Sequence, residues 1–118
     1  MSTYHDRENG WYLRLPEEWR GKIYVNRTVI PDETSVTFFI RDEGTGELRP
    51  FMRIWLFSGS NRSIQASRGE RFTLNTQPER IYTAELLEAN FDWSYGITPE
   101  ELRAAFSLIA AEWTVGDN

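Results

Sequence analysis

Arginine and aromatic side chains alternate along the middle of the chain, an arrangement that could bind a flat or anionic ligand. Arg53, Trp55 and Phe57 occupy every second position, so they share one face if this stretch is an extended strand. A guanidinium beside an exposed indole could stack on sugar rings or on other planar groups. Residues 49–80 hold six Arg against two Glu, an excess of four positive charges. The candidate ligand-binding residues are therefore Arg53, Trp55, Phe57, Arg68 and Arg71.

The same residues also have a purely structural interpretation, which the surrounding sequence favours. Residues 51–58 are apolar on both faces when read as a strand, because Met52, Ile54 and Leu56 alternate with the aromatic residues. This pattern is typical of a central strand that is covered from both sides. We therefore expect the aromatic rings to belong to the core, with the arginines facing outward and pairing with the acidic C-terminal segment.

Two adjacent acid pairs, Glu17-Glu18 and Glu100-Glu101, are the candidates for carboxylate-dependent hydrolysis. That chemistry needs two carboxyl groups roughly 5–10 Å apart across a cleft. Both pairs instead follow a proline at a predicted helix start, where negative charge complements the helix dipole. The acids of residues 42–47 lack the alternating oxygen ligands of a calcium-binding loop. We therefore predict structural roles for these acids and no catalytic or metal-binding residue.

The inventory of reactive side chains is small. With no Cys, the sequence excludes disulfides, Cys-zinc sites and thiol nucleophiles, and its single His, His5, removes His-pair metal sites and most Ser-His chemistry. The chain also contains no Gly-rich phosphate-binding motif. We therefore predict that the protein is not an enzyme and uses no cofactor. The net charge of −5 argues against broad nucleic-acid binding, because phosphate neutralisation supplies most of that affinity.

The length of 118 residues fits one domain, which would bury roughly two-thirds of its extended surface on folding. No run approaches 18 apolar residues, so we expect no transmembrane segment. Residues 1–9 are polar and show no period, which predicts a disordered tail. Residues 10–116 are predicted to form a single α+β domain.

Period-two alternation predicts six strands. The first is residues 11–15, followed by one helical turn at residues 16–21 from which Trp19 folds back onto the sheet. The other five are residues 22–30, 35–41, 51–58, 71–76 and 80–87.

The clearest local signal is a helix start at residues 98–101. Thr98 and Glu101 have the spacing of a capping box, and Pro99 occupies the first helical position. Apolar residues at spacings of three and four then predict a helix to about Val115, with a stripe formed by Leu102, Ala105, Phe106, Ile109 and Trp113. Because the strands precede the helix, we predict an α+β fold with a single antiparallel twisted sheet of about six strands and the C-terminal helix on one face.

The opening of the predicted domain resembles that of a group of uncharacterised bacterial extracytoplasmic domains. Residues 10–25 read Gly-Trp-Tyr-Leu-Arg-Leu-Pro-Glu-Glu-Trp-Arg-Gly-Lys-Ile-Tyr-Val, which is similar to their pattern Gly-aromatic-x-Leu-x-Leu-Pro-x-x-Trp-x-Gly-Lys-Tyr. The aromatic pair in residues 36–39, the later strands and the closing helix also fit. The order of elements is similar to the Mog1/PsbP-like fold as well. The resemblance implies an exported or lipid-anchored domain that binds partners rather than catalyses.

We therefore expect a non-catalytic interaction or ligand-binding module of a bacterial surface or secreted protein, present as a monomer or weak dimer. Its partner would be an unidentified protein or a component of the cell envelope. The polar N-terminal residues contain no apolar signal-peptide core, so a small cytoplasmic partner-binding protein of the adaptor or immunity type is the alternative. The location is extracytoplasmic if the chain is a piece of an exported protein, and otherwise cytoplasmic. A carboxylate-dependent hydrolase is the third possibility.

Overall fold

The computed structural model describes residues 2–110. Within them the chain forms eight strands, three short helices and one 3-10 turn, at Glu17–Trp19. The helices are α1 (Arg62–Ala66), α2 (Glu88–Asp92) and α3 (Pro99–Ala105). The strands are β1 (Ser2–Asp6), β2 (Trp11–Leu15), β3 (Ile23–Ile30), β4 (Glu33–Arg41), β5 (Leu48–Ser58), β6 (Phe72–Thr76), β7 (Arg80–Leu86) and β8 (Phe106–Leu108).

The strands form two antiparallel sheets. The larger sheet has the order β3-β4-β5-β7-β6, and the smaller has the order β1-β2-β8. The prediction of an α+β fold with antiparallel strands is confirmed, but the prediction of one six-stranded sheet is wrong. A strand has only two edges, and β1 and β8 occupy both edges of β2, so β2 cannot join the larger sheet.

The prediction of a disordered tail is wrong for residues 2–6, which form β1. This strand pairs with β2 from Ser2 opposite Leu15 to Asp6 opposite Trp11. The Tyr4 ring packs against Trp11, with the ring centroids 5.5 Å apart. The segment carries too few apolar residues to show an alternating pattern, so its pairing with β2 is what makes it a strand.

The helix that begins at Thr98 is confirmed at its start and wrong at its end. Thr98 Oγ1 accepts a hydrogen bond from the Glu101 amide, and the Glu101 side chain accepts one from the Thr98 amide. The helix ends at Ala105, and Phe106–Leu108 instead forms β8 against β2. The Phe106 ring packs on Trp11, with centroids 5.6 Å apart. Trp113 and Val115, which the longer helix was to include, lie outside the described residues.

One core cluster draws buried side chains from both sheets. Trp11 and Leu13 of β2 share it with side chains of β4, β5 and β7. The prediction that Trp19 folds back is confirmed, because its ring is buried at 5.1 Å from that of Phe51 and its Nε1 donates to the Tyr95 carbonyl. The core therefore lies on one side of the larger sheet, and the opposite side is left for other contacts.

A bulge changes which residues of β5 face the core. Phe38 pairs with Met52 while Phe39 pairs with Pro50, so Phe51 has no partner residue on β4. Phe51 and Met52 are both fully buried in the same cluster, although strict alternation places them on opposite faces. The predicted central strand is confirmed, since β5 is third in the order of five and is covered on both faces.

Candidate functional site

The side of the larger sheet that faces away from the core carries a second, smaller cluster of buried side chains together with polar and charged ones, and we call this side the outer face. Directly opposed residues of antiparallel strands point to the same side, so the register defines the rows of this face. Three rows cross β4, β5 and β7 in that order. They are Glu33, Phe57 and Ile81; Ser35, Trp55 and Thr83; and Thr37, Arg53 and Glu85.

The centre of the outer face is a stack of arginine and aromatic side chains. The Arg71 guanidinium carbon lies 4.0 Å from the centroid of the Trp55 ring and 5.3 Å from that of Phe57. The Arg53 guanidinium carbon lies 5.7 Å from the Trp55 centroid. The Trp55 and Phe57 rings are nearly parallel, with centroids 5.9 Å apart. We refer to these four residues as the arginine–tryptophan stack.

Neighbouring groups hold the two guanidinium groups of the stack in place. Arg71 Nη1 donates a hydrogen bond of 2.6 Å to the carbonyl of Gln65, at the end of α1. Arg53 Nε donates one of 2.8 Å to Thr37 Oγ1 on the neighbouring strand. The short helix also contributes Ala66, which is buried with Trp55, Phe57 and other residues of this face. Both guanidinium planes are therefore positioned by the protein itself.

Burial is the main cause that lowers the pKa of the Arg71 guanidinium below its ordinary value. The carboxylates of Glu85 and Glu33 oppose this shift, and the positive charges of Arg68 and Arg53 add to it. Among the described residues, no carboxylate lies within ion-pair distance of Arg53, Arg68 or Arg71. Arg71 therefore remains a partly desolvated cation without a close counter-ion in this part of the chain.

The structure brings four of the five predicted ligand-binding residues into contact. Arg68 lies in the exposed loop after α1, and its positive charge helps to lower the pKa of Arg71. Arg68 contacts no aromatic ring in the part of the chain that is described. Trp55 is only 3% exposed. The expectation that this aromatic residue belongs to the core is therefore confirmed, and the prediction of an open stacking surface is wrong. A ligand at this face would meet the arginines that cover the ring.

Several residues of this surface carry no recognisable signal in the sequence. Thr37 and Glu85 flank Arg53 through strand register, and Gln65 reaches Arg71 only because α1 lies over the sheet. Thr83, opposite Trp55, is fully buried, and its Oγ1 has no hydrogen-bond partner among the described residues. Such contacts depend on which strands are neighbours, so spacing within one strand could not reveal them.

A second concave surface lies between the β2 end, the 3-10 turn and α3. This groove has a volume of about 660 Å³ and is lined by residues that include Arg14, Glu17, Tyr95 and Glu101. Glu17 forms an ion pair of 3.1 Å with Arg20, and Glu101 is engaged in the capping box. The expectation that both acid pairs stand at helix starts is confirmed.

Residues 2–110 contain no group of three or more His, Asp or Glu side chains arranged to hold a metal ion. No helix in the same range is long and apolar enough to cross a membrane. No family model, curated protein or solved structure matches this chain. The resemblance of residues 10–25 to bacterial extracytoplasmic domains, and of the element order to the Mog1/PsbP-like fold, therefore stays a prediction.

Proposed function

We propose that this protein is a non-catalytic interaction or ligand-binding module, and that its outer face binds an anionic group at the arginine–tryptophan stack. The observation that carries this proposal is the Arg71 guanidinium, whose carbon lies 4.0 Å from the centroid of the Trp55 ring and which is anchored at one nitrogen by Gln65. Its remaining N–H groups have no hydrogen-bond acceptor among the described residues. They are available to a carboxylate or phosphate of a partner.

A stacked arginine suits this role for a physical reason. The guanidinium has five N–H donors in a planar fork that matches a carboxylate or phosphate with two parallel hydrogen bonds. Stacking on Trp55 and the hydrogen bond to Gln65 hold the fork in one orientation before a ligand arrives. Less side-chain entropy is then lost on binding, and partial burial strengthens the attraction.

Two of the three acids that line the groove are engaged in local structure, which supports binding rather than hydrolysis. Catalytic carboxylates must be available to the substrate, one as an acid and one as a nucleophile or base. Glu17 is already paired with Arg20, and Glu101 caps α3. Their engagement in local structure favours the non-catalytic alternative.

A bacterial surface or secreted location is part of the proposal and derives from the resemblance alone, whose specific part is residues 10–25. Cell fractionation of the native protein tests it. Recovery with the envelope or the medium would support it, whereas recovery with the cytoplasm would favour the adaptor or immunity-type alternative.

A titration followed by NMR tests the anion site. Inorganic phosphate and N-acetylglutamate are each added to labelled protein, and the indole N–H of Trp55 and the side-chain N–H of Arg71 are observed. We expect saturable shifts with a dissociation constant on the order of 1–10 mM, as befits one anion contact in water. Whichever probe binds more tightly identifies the kind of anion that the partner presents.

The decisive variant is Arg71→Lys, which keeps the charge but removes the planar fork. The matched control is Arg103→Lys, because Arg103 also lies over an aromatic ring, that of Phe72, but outside the stack. We expect a severalfold weaker response in Arg71→Lys and an unchanged one in the control. Equal binding by both variants, or no saturable shift in the native protein, would contradict the proposal.

A further inference from the structure

The larger sheet has one long open edge. β3 pairs along all eight of its residues with β4, from Ile23 opposite Ile40 to Ile30 opposite Glu33. No described strand pairs with its other side. An edge of this kind presents a row of backbone N–H and C=O groups that can pair with another strand.

The other edge of the same sheet is protected, and β3 is not. β6 has five residues, its pairing with β7 is irregular between Thr73 and Asn75, and Arg103 Nε donates to the Thr73 carbonyl. β3 pairs without a bulge and contains no proline. Shortness, irregular pairing and a covering side chain are devices that prevent edge pairing.

The side chains of β3 are unusually apolar for an exposed strand. Four of them are large, hydrophobic and 40–60% exposed: Tyr24, Val25, Val29 and Ile30. They lie on both faces, so neither the core nor the outer face covers them all. The only charged residue of the strand is Arg27, which is already paired with Asp6.

We propose that two copies of this chain associate through antiparallel pairing of their β3 edges, centred on Asn26. The two-fold axis then stands normal to the sheet, and the two sheets join into one of ten strands. The one charge of β3 is paired with Asp6 of the same copy, so two β3 edges can pair without uncompensated repulsion as long as their Arg27 side chains are not directly opposed. This favours a second copy over a charged partner.

The register follows from the side chains. In a pair with this symmetry each residue faces a residue of the same face, so the centre falls on a residue. Centring on Arg27 would place two guanidinium groups directly opposite each other, which destabilises a pair. Centring on Asn26 instead sets Ile23 against Val29, Tyr24 against Thr28 and Val25 against Arg27 of the other copy. This register pairs residues 23–29 of β3 with the same residues of the other copy, seven of the eight in the strand.

The size of the contact predicts a weak dimer. Seven paired residues at about 3.4 Å each give a strip about 24 Å long, and a sheet is about 10 Å thick. The strip therefore covers about 240 Å² on each copy, well below the roughly 800 Å² per partner of a stable interface. We expect dissociation on the order of 0.1–1 mM in dilute solution.

Pairing in this way would present two arginine–tryptophan stacks together. The axis normal to the sheet keeps both outer faces on the same side of the dimer. The two β5 strands would be five strand spacings apart, or about 24 Å. A partner with repeated anionic groups could then contact both sites, although the dimer itself does not depend on the anion site.

Cysteine cross-linking tests the pairing, because the chain has no Cys of its own. In Asn26→Cys, the two thiols meet at the axis within disulfide distance. In the control Thr28→Cys, on the same face, each thiol faces Tyr24 and lies about 14 Å along the strand from its counterpart. We expect Asn26→Cys to cross-link more than about tenfold faster, in proportion to the local thiol concentration.

A charge variant then tests whether the β3 edge drives the association. Adding Val25→Lys to Asn26→Cys places a lysine opposite Arg27 of the other copy and should abolish the rapid cross-linking. Adding Ile64→Lys instead, on α1 and 64% exposed, introduces the same charge away from the edge and should leave the rate unchanged. Circular dichroism of each variant confirms that the fold is retained.

Equal cross-linking rates for Asn26→Cys and Thr28→Cys would overturn the proposal. So would a native chain that remains monomeric by sedimentation up to about 1 mM, or rapid cross-linking that survives Val25→Lys.

Discussion

The carboxylate of Asp6 and the guanidinium of Arg27 join the two sheets through a pair of hydrogen bonds. Arg27 Nε lies 3.2 Å from Asp6 Oδ2, and Nη2 lies 3.3 Å from Oδ1. Asp6 is buried on β1, while Arg27 stands on the edge strand β3 of the larger sheet. The backbone and side chain of Asn9 also donate to the same carboxylate. These contacts fix β1, whose sequence shows no apolar periodicity, to the rest of the domain.

Replacing Asp6 with Asn should destabilise the protein by about 1.5–3 kcal/mol, because hydrogen bonds to a charged and buried acceptor are lost. Urea denaturation measures the change in the free energy of unfolding. Glu8→Gln is the control: Glu8 lies 3.6 Å from the same guanidinium but is exposed, so its loss should cost less than about 0.5 kcal/mol. Similar effects of both variants would show that burial of Asp6 adds nothing.

Replacing Thr83 with Val should stabilise the protein by about 1 kcal/mol. The Thr83 side chain is fully buried, and its hydroxyl has no hydrogen-bond partner among the described residues, so its desolvation is not compensated there. Thr37→Val is the matched variant on the same face, where the hydroxyl accepts from Arg53 Nε. It should destabilise by about 1 kcal/mol, since the donor is left unpaired. Thermal and urea unfolding measure the change in stability of both variants. A change in the same direction for both would contradict the assignment of an unpaired hydroxyl to Thr83 and a paired one to Thr37.

Replacing Trp55 with Ala should cost about 3–5 kcal/mol, because a large buried ring is removed from a packed cluster. Phe91→Ala provides the comparison: that ring is 70% exposed, and its removal should change stability by less than about 0.5 kcal/mol. Equilibrium unfolding with intrinsic fluorescence or circular dichroism measures both. A mild effect at Trp55 would mean that its ring is available at the surface and would revive a direct stacking role.

The Asp42 carboxylate should make the hairpin between β4 and β5 sensitive to acid. Hydrogen bonds from the amides of Thr45 and Gly44 lower the pKa of this carboxyl below its ordinary value. A folded-state pKa below the unfolded one contributes stability that is present above the unfolded value, about 3.9, and is lost as the pH falls through the folded value.

Asp42→Asn should therefore unfold with a flatter pH dependence below about pH 4 than the native chain. Unfolding free energies measured from pH 6 downward test this. Glu43→Gln, which removes the adjacent exposed carboxylate, is the comparison. If Asp42→Asn and the native chain lose stability in parallel, the turn carboxylate does not contribute.

Local patterns determined the elements whose contacts lie close together in the chain. The alternation of residues 51–58 predicted a central strand, because each face of that strand is apolar by itself. The spacing of Thr98, Pro99 and Glu101 predicted a helix start, because both capping hydrogen bonds span only three residues. Trp19 likewise returned to the core as its short helical turn predicted.

Pairing between strands far apart in the sequence determined the sheet arrangement, which these local patterns could not predict. Residues 2–6 and 106–108 become strands because β1 and β8 occupy the two edges of β2, which moves β2 into a second sheet and ends α3 at Ala105. The position of Arg71 on Trp55 likewise depends on α1 lying across the outer face. Composition and spacing identified the arginines and aromatics as a group, but only the neighbouring strands and the helix over them determined which cation covers which ring. Backbone hydrogen bonds between strands are satisfied by any edge of suitable length, so the choice of partner strand depends on the assembled core.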